Sequence, residues 1–558
     1  GNDSLEDTPT NNFCTLNPLD SNSNITLSNG NLVASISSGF RLQRSTFFLS
    51  SGKWYWEITC DDVFPAGFVG VTDSTDSTIS QGGASSTSCM IRTTNGDKRI
   101  GGSETSYGSA VADGNVMIFA LDMDNGKFWA GKNGTFFDSG NPATGANPAT
   151  SALTNPVTPS IGMYDNEDYT ANFGQRAFAY TPPTGYKKLN SANLPDPTIL
   201  LPNKHFGTLV YTGDGSASRT ISDTSSVNFT PDWVWAKNRS QNDWHILSDA
   251  VRGFDGKTLY SNRSDAEYDA SGSGEHGYIS AAANGGFVAT DSDGSVGGNL
   301  NANSENYVAW TWNGGDTDSK TYTVKVVSDS GNKYRFDNFG TSAVTLDLAE
   351  GGTYIFNMDD SSNASHPFSI GTAANGTVYT SGITYFLDGV SKTYSEYTSG
   401  FYSATTRRLH FTVPASAPQL YYWCSVHSGM GGQINTNTTL GSSNFDGTTQ
   451  STVKVSAISG FSIVSYEGTG STATIGHGLG VAPKVVIVKR RSATEDWIVG
   501  IGPILGSGEE GHYVKLNSDA AKATGNGPFN STNPSSSVVT LGTDVATNGS
   551  SSTYISYC

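Results

Sequence analysis

Gly52-Lys-Trp-Tyr-Trp-Glu-Ile58 decides the fold class of this chain. Trp54, Trp56 and Ile58 fall on one side of an extended backbone and Tyr55 and Glu57 on the other, the period-two pattern of a strand. Working outward, short segments that alternate apolar and polar residues recur along the chain, cut by Asn-Gly, Asp-Gly and Gly-Gly pairs. Asn125-Gly126 and Asn133-Gly134 each stand between two strand-like runs, the strongest short-range signal for a hairpin. Asn517 to Thr524 alone reads as mildly helical, without an apolar stripe. The expectation is an all-β chain, a string of β-sandwich domains.

Composition narrows this reading. A chain of 558 residues is too long for one hydrophobic core and predicts three to five domains. With 36% hydrophobic and 11% aromatic residues it can fill several cores, which excludes a disordered chain. Charged residues make up only 15%, and the abundant Gly, Ser, Thr and Asn suit short strands and tight turns better than helices. A net charge of −18, with only 32 Lys and Arg, argues against nucleic acid or anionic lipid as partner. No apolar run is long enough to cross a bilayer, so no membrane insertion is expected. The start at Gly1, without a signal-like stretch, reads as processing or as a window from a longer protein. Five cysteines (Cys14, Cys60, Cys89, Cys424, Cys558) do not make a disulfide framework for so many domains.

Three breaks organise the chain. Residues 193–205 carry three prolines within Asn193–Pro202 and read as a linker. A second break falls at Asn313–Ser319, and a third, polar and patternless from about Asn435 to Gln450, opens a linker placed at 437–458. Comparison of the chain with itself reveals a repeat. Phe206-Gly-Thr-Leu-Val-Tyr-Thr-Gly-Asp-Gly-Ser216 matches Phe461-Ser-Ile-Val-Ser-Tyr-Glu-Gly-Thr-Gly-Ser471, and Pro231–Ser240 matches Pro483–Ser492. Asp243-Trp244 and Asp496-Trp497 follow in order, and Tyr307–Trp310 and Tyr554–Tyr557 close the two copies. The expected modules are therefore 1–192, a first copy at 206–315, an unrelated insert at 320–436 and a second copy at 459–558.

The first module resembles a SPRY domain, a bent β-sandwich used for protein recognition. Gly52–Ile58, Gly67-Phe-Val-Gly-Val71, Ile118–Lys127 with Lys132-Asn-Gly134, and Asn172-Phe-Gly-Gln-Arg-Ala-Phe178 carry the likeness in the family's order. It implies recognition through loops, with Thr72–Ser88 and Ser139–Asn155 as candidates.

The insert holds the one constellation with distinctive chemistry. Tyr421-Tyr-Trp-Cys-Ser-Val-His-Ser-Gly-Met-Gly431 sets Cys424, His427 and Met430 at C-x2-H-x2-M spacing, and His366 lies upstream in Asn363-Ala-Ser-His-Pro-Phe368. One thiolate, two imidazoles and a weak axial thioether are what a blue-copper centre needs. The pattern is similar to the cupredoxin family, which implies His366, Cys424 and His427 as equatorial ligands and Met430 as axial ligand of a type 1 copper. A metal-free scaffold of the same shape is the alternative, and zinc is disfavoured because it uses Met poorly. His410 reads as an ordinary strand residue.

Other motifs are discounted. Asp291-Ser-Asp-Gly294 and Asp122-Met-Asp-Asn-Gly126 lack the distal carboxylates of a calcium loop and read as turns. His245, His276, His477 and His512 have no partners at ligand spacing, Glu509-Glu510 reads as a solvated turn, and the Asn-x-Ser/Thr triplets follow from composition. No catalytic signature is present, so no enzyme is expected.

The repeat resembles an uncharacterised domain found in tandem in structural proteins of tailed phages, often behind a SPRY-like module. That likeness implies a virion structural protein, a tail fibre or capsid-surface appendage. Expected partners are other virion proteins and a host-surface protein or glycan, with homo-oligomers at the virion surface or outside cells. A secreted copper electron-transfer protein and a bacterial surface adhesin are the alternatives.

Overall fold

The computed structural model describes all residues except 1–7, 9–10, 64–66, 197–198, 273–275, 292–298 and 316–319. Part of the Asn313–Ser319 break and most of the Asp291–Gly294 turn lie outside the described residues. The chain is all-β and multi-sheeted, and it divides into two compact units, residues 1–198 and 199–558.

In the first unit a seven-stranded and a six-stranded sheet share one core. Strand β1 (Lys53–Asp62) lies inside the larger sheet beside β2 (Val116–Asp122), which turns at Asn125-Gly126 into β3 (Lys127–Lys132). Gly126 and both residues of Asn133-Gly134 have positive φ, the left-handed geometry that tight hairpin turns require. Trp54, Trp56 and Ile58 enter the main core, where Trp56 stacks on Phe119 with ring centroids 5.3 Å apart. The opposite face is also covered: Tyr55 packs with Trp129 and Tyr186, and Glu57 accepts backbone N–H bonds from Ala179 (2.8 Å) and Tyr180 (2.9 Å).

In the second unit the blocks matched by sequence occupy matching strands. Strands β4 (Phe206–Thr212), β5 (Ser218–Ser222), β6 (Trp233–Asn238) and β7 (Asn306–Trp312) belong to the first copy. Its main sheet runs in the order β4, β7, β6, followed by Ile246–Asp249, Lys257–Tyr260 and Tyr268–Asp269. Residues 320–436 follow as a six-stranded and a four-stranded sheet around one aromatic-rich core. The four-stranded sheet contains β8 (Phe368–Gly371) and β9 (Leu420–Cys424). After the insert come β10 (Ser451–Ser456), β11 (Phe461–Glu467), β12 (Ala473–Gly476), β13 (Val486–Arg490) and β14 (Thr553–Tyr557). The eight-stranded sheet there orders β10, β11, β14, β13, so β11–β14–β13 repeats β4–β7–β6. Tyr211 stacks on Tyr307 at 5.0 Å, and Tyr466 stacks on Tyr554 at 5.1 Å in the same place.

The structure corrects three expectations. The span 437–458 is not a plain linker: Ser442–Asn444 and β10 are strands of the eight-stranded sheet. Val453 and the partly buried Val455 face the second copy's core, and Lys454 pairs with Asp232 at 3.5 Å, so a polar-looking stretch is tied down on both faces. Asn517–Thr524 is not helical, and Ala523–Thr524 pairs as a short strand with His512–Lys515. Among the described residues four short α-helices nevertheless interrupt the β pattern, the longest being Tyr394–Gly400. Its signal stood in the sequence as Thr393-x-x-Glu396, which forms a reciprocal capping box.

Candidate metal centre

The insert builds its centre where two adjacent strands meet a short loop. β8 and β9 run antiparallel with Phe368 opposite Cys424, so the turn before Phe368 lies beside the end of β9. That turn carries His366. Its backbone is held by an N–H bond to Asn363 O (2.8 Å) and by Tyr334, whose hydroxyl donates to His366 O at 2.8 Å. Ser425 N–H closes the strand end on Pro367 O at 3.0 Å.

The loop after Cys424 supplies the remaining groups. Met430 O accepts from Tyr334 N–H (2.9 Å), Lys333 Nζ donates to Gly429 O, and Gly432 O accepts from Tyr422 N–H (2.9 Å). Gly431 packs so closely that a Cβ there would lie 1.6 Å from Tyr422 O. Only glycine lets the loop return this tightly against β9.

The donor atoms converge. Cys424 Sγ lies 3.8 Å from His366 Nδ1 and 3.6 Å from His427 Nδ1, and all three ligand atoms lie within 4.8 Å of one another. A nitrogen and a sulfur each bound at roughly 2.0–2.3 Å to one ion, at about 110–125°, sit about 3.6–3.8 Å apart. The spacing is that of ligands around a shared metal. Cys424 is 1% exposed and His366 7%, whereas His427 is exposed at the rim. Burial, and secondarily the neighbouring His427, lowers the His366 pKa from the usual histidine value and so favours the neutral imidazole that ligates metals. Met430 is buried and belongs to the same hydrophobic core as Cys424. Two imidazoles and a thiolate beside a buried thioether are consistent with a type 1 copper site.

Among the described residues this is the one cluster of three His, Cys, Asp or Glu donors close enough to share an ion. His410 stands apart on a strand, tilted against Phe386 with ring centroids 4.6 Å apart. His245 Nδ1 accepts from Trp235 Nε1 (3.1 Å), His276 packs on Trp244 (5.0 Å), and His477 Nδ1 accepts from Leu479 N–H (3.2 Å). His512 differs from expectation: its Nδ1 is 3.1 Å from Glu509 Oε2, a partner three residues upstream. Cys14, Cys60, Cys89 and Cys424 are buried free thiols, and Cys558 is free and partly buried.

In the first unit the two candidate loops are pinned to each other. Asn155 Nδ2 donates to Thr87 Oγ1 (3.1 Å) and to Asp73 Oδ2 (3.3 Å), while Asp73 also accepts from Thr75 and Ser85. Sequence reading missed one polar cluster altogether, the ion network of Asp249, Arg252, Glu267, Arg491 and Tyr557. Tyr557 Oη donates to Asp249 Oδ2 (2.8 Å), and Arg491 forks onto Glu267 with bonds of 2.8 and 2.9 Å. Its members are scattered across the chain, and no local pattern announces them.

Comparison with known proteins adds three findings. A family model described as a domain of unknown function (DUF7483) matches residues 201–333 and 435–558, just under half of the chain. No curated protein matches. Solved structures similar to part of the chain include the SPRY domain of human HERC1, at 18% identity over 29% of this chain and 99% of that one, with a TM-score of 0.25. The TRIM65 PSpry domain is similar at 16% identity over 29% and 92% of the two chains, with a TM-score of 0.24. Stonustoxin is similar at 18% identity over 29% and 27%, again with 0.24. At such identities and TM-scores these likenesses say nothing about function.

Proposed function

We propose that this chain is a copper-binding electron-transfer protein whose other β-sheet modules carry and present the centre. The convergence of His366 Nδ1, His427 Nδ1 and Cys424 Sγ around one point carries this reading. Copper held there supplies one-electron redox chemistry. Cys424 at the end of β9, His366 on the turn before β8 and His427 on the loop would hold the copper, with Met430 from the same loop as a further donor. Four protein donors leave no position for a substrate, so the chain acts by passing electrons and is not an enzyme. His427, at the rim, is the group through which a redox partner gains access.

The test is reconstitution of the whole chain with Cu(II), followed by metal analysis and visible spectroscopy. One copper per chain is expected, with an intense thiolate-to-copper band that bleaches on reduction and returns on oxidation. Cys424→Ser abolishes the band while the far-UV spectrum stays that of a β protein. A chain that stays colourless and copper-free under these conditions rules the reading out.

A second reading follows from the sequence resemblance of the segments that flank the insert, both of which match one model of a domain of unknown function. Here the chain is a virion or cell-surface structural protein that displays its modules in many copies, with SPRY-like loops contacting a host protein or glycan. Labelling of purified particles with a specific antibody tests it, and label confined to host cells rules it out. No helix among the described residues is long and apolar enough to cross a membrane.

A further inference from the structure

The four donors ride on separate pieces of chain. His366 sits on the turn before β8, Cys424 ends β9, and His427 and Met430 lie on the loop that follows. Donors that share one ion need the turn and the loop at a fixed separation. One residue outside both is bonded to each.

Tyr334 is the middle residue of the strand Asn332–Phe336, which pairs on one edge with Lys320–Ser328 and ends the six-stranded sheet. On its other edge the backbone N–H of Tyr334 donates to Met430 O at 2.9 Å, and its carbonyl accepts from Ala343 N–H at 2.8 Å. The side chain reaches the turn before β8, where its hydroxyl donates to His366 O at 2.8 Å. His366 is thereby held at both of its backbone groups, because its own N–H donates to Asn363 O at 2.8 Å. Besides the donor groups themselves, no other described residue outside the turn and the loop bonds both. Lys333 anchors the loop alone, through Gly429 O, and Val324 O holds the turn alone, through Asn363 Nδ2 at 2.7 Å.

The hydroxyl is separable from the rest of the residue. Tyr334 is fully buried, and its ring packs edge-on against Phe368 with centroids 5.1 Å apart. Phenylalanine keeps that contact and the backbone bond to Met430. It deletes only the bond to His366 O, which leaves that carbonyl without its donor.

We propose that Tyr334 is a positioning residue of the metal centre. Its hydroxyl sets where the His366 turn stands relative to Cys424, and its backbone N–H ties the Met430 loop to the same strand. The inference rests on the copper reading above, since the position of these segments matters to an ion that shares their donors. Groups that orient metal ligands without touching the ion change affinity by about ten-fold or more.

The experiment compares the whole chain with its Tyr334→Phe and Tyr354→Phe variants. Tyr354 is equally buried in the same core, and its hydroxyl bonds Ser442 Oγ and Ala349 N–H, neither of them in the turn or the loop. Its variant reports what the loss of a buried hydroxyl does to the module at large. In the metal-free chain, the amides of His366 and of Ser425, which donates to Pro367 O, are expected to exchange hydrogen about ten-fold faster in Tyr334→Phe and at the parent rate in Tyr354→Phe. On titration with Cu(II), Tyr334→Phe is expected to bind about ten-fold more weakly and to move the thiolate-to-copper band. Tyr354→Phe keeps the parent's affinity and band position. Unchanged amide exchange in Tyr334→Phe overturns the proposal whether or not the parent takes up copper, and so does a parent-like affinity and band. A Tyr354→Phe variant that loses affinity and shifts the band to the same extent overturns it too. A parent that stays free of copper while the two amides respond as expected sinks the copper reading and supports Tyr334 as the anchor of both segments.

Discussion

Trp233 lies flat against Tyr557, with ring centroids 4.1 Å apart and planes 12° from parallel. One residue opens β6 of the first copy and the other closes β14 of the second. Phe461 stacks on the same indole at 5.6 Å and Trp312 packs tilted against it at 4.2 Å, so the two copies share an aromatic interface despite the insert between them. Trp497 of the second copy joins it, donating Nε1–H to Tyr260 O at 2.9 Å.

Trp233→Ala removes the centre of this stack. The cost expected for a buried tryptophan is about 3–5 kcal/mol. Denaturant unfolding followed by tryptophan fluorescence should show the loss in the transition of residues 199–558, with the transition of residues 1–198 unchanged.

Glu267 makes the same interface acid-sensitive. Burial opposes its charge, but hydrogen bonds from Arg491 and the charges of Arg252 and Arg491 outweigh it and lower its pKa from 4.5 to about 2. A depressed carboxyl pKa contributes stability above the unfolded value, and that stability is lost as pH falls from about 4.5 towards 2. Melting curves across that window should show Glu267→Gln losing less with acid than the parent, a difference of about 2–3 kcal/mol.

Glu167 has the opposite sign. It is fully buried in the first unit, and burial, with Asp62 nearby, pushes its carboxyl up to about 8 despite the N–H bond from Tyr164 at 2.7 Å. Its contribution is whole below the unfolded value of 4.5 and is lost as pH rises through about 8. Glu167→Gln keeps the Tyr164 bond and cannot ionise. At pH 9 the first unit of the variant should melt higher than the parent by the equivalent of about 2 kcal/mol, with the gap closing at pH 5.

Gly431 tests how the metal loop is held. Because a Cβ would sit 1.6 Å from Tyr422 O, Gly431→Ala must push the loop off β9 and displace Met430 and His427 together. Copper affinity should fall by about ten-fold or more, while Gly340→Ala, at an exposed position with open space around it, leaves copper affinity unchanged.

Much of the fold was legible because it rests on local rules. Trp54, Trp56 and Ile58 announce a strand by alternation, and Asn133-Gly134 announces a turn because both residues take positive φ. The candidate ligands were legible for a similar reason: Cys424 ends a strand and His427 and Met430 lie on the loop that follows it, at spacing that only needs the loop to close. Ser451–Ser456 was misread because it is polar in composition and mostly buried in context. Its hydroxyls and Lys454 find partners on neighbouring segments, which no window of sequence contains.

By itself the sequence determined an all-β chain and a set of four candidate copper ligands and showed matching blocks on either side of the insert, since alternation, turn chemistry and ligand spacing are properties of neighbouring residues. Tertiary structure alone decided that His366 meets Cys424, that Glu267 is clasped by Arg252 and Arg491, and that Trp233 lies against Tyr557. These depend on strands far apart in the chain lying side by side, and hydrogen-bonded pairing and burial, unlike periodicity, are settled only when the whole sheet assembles.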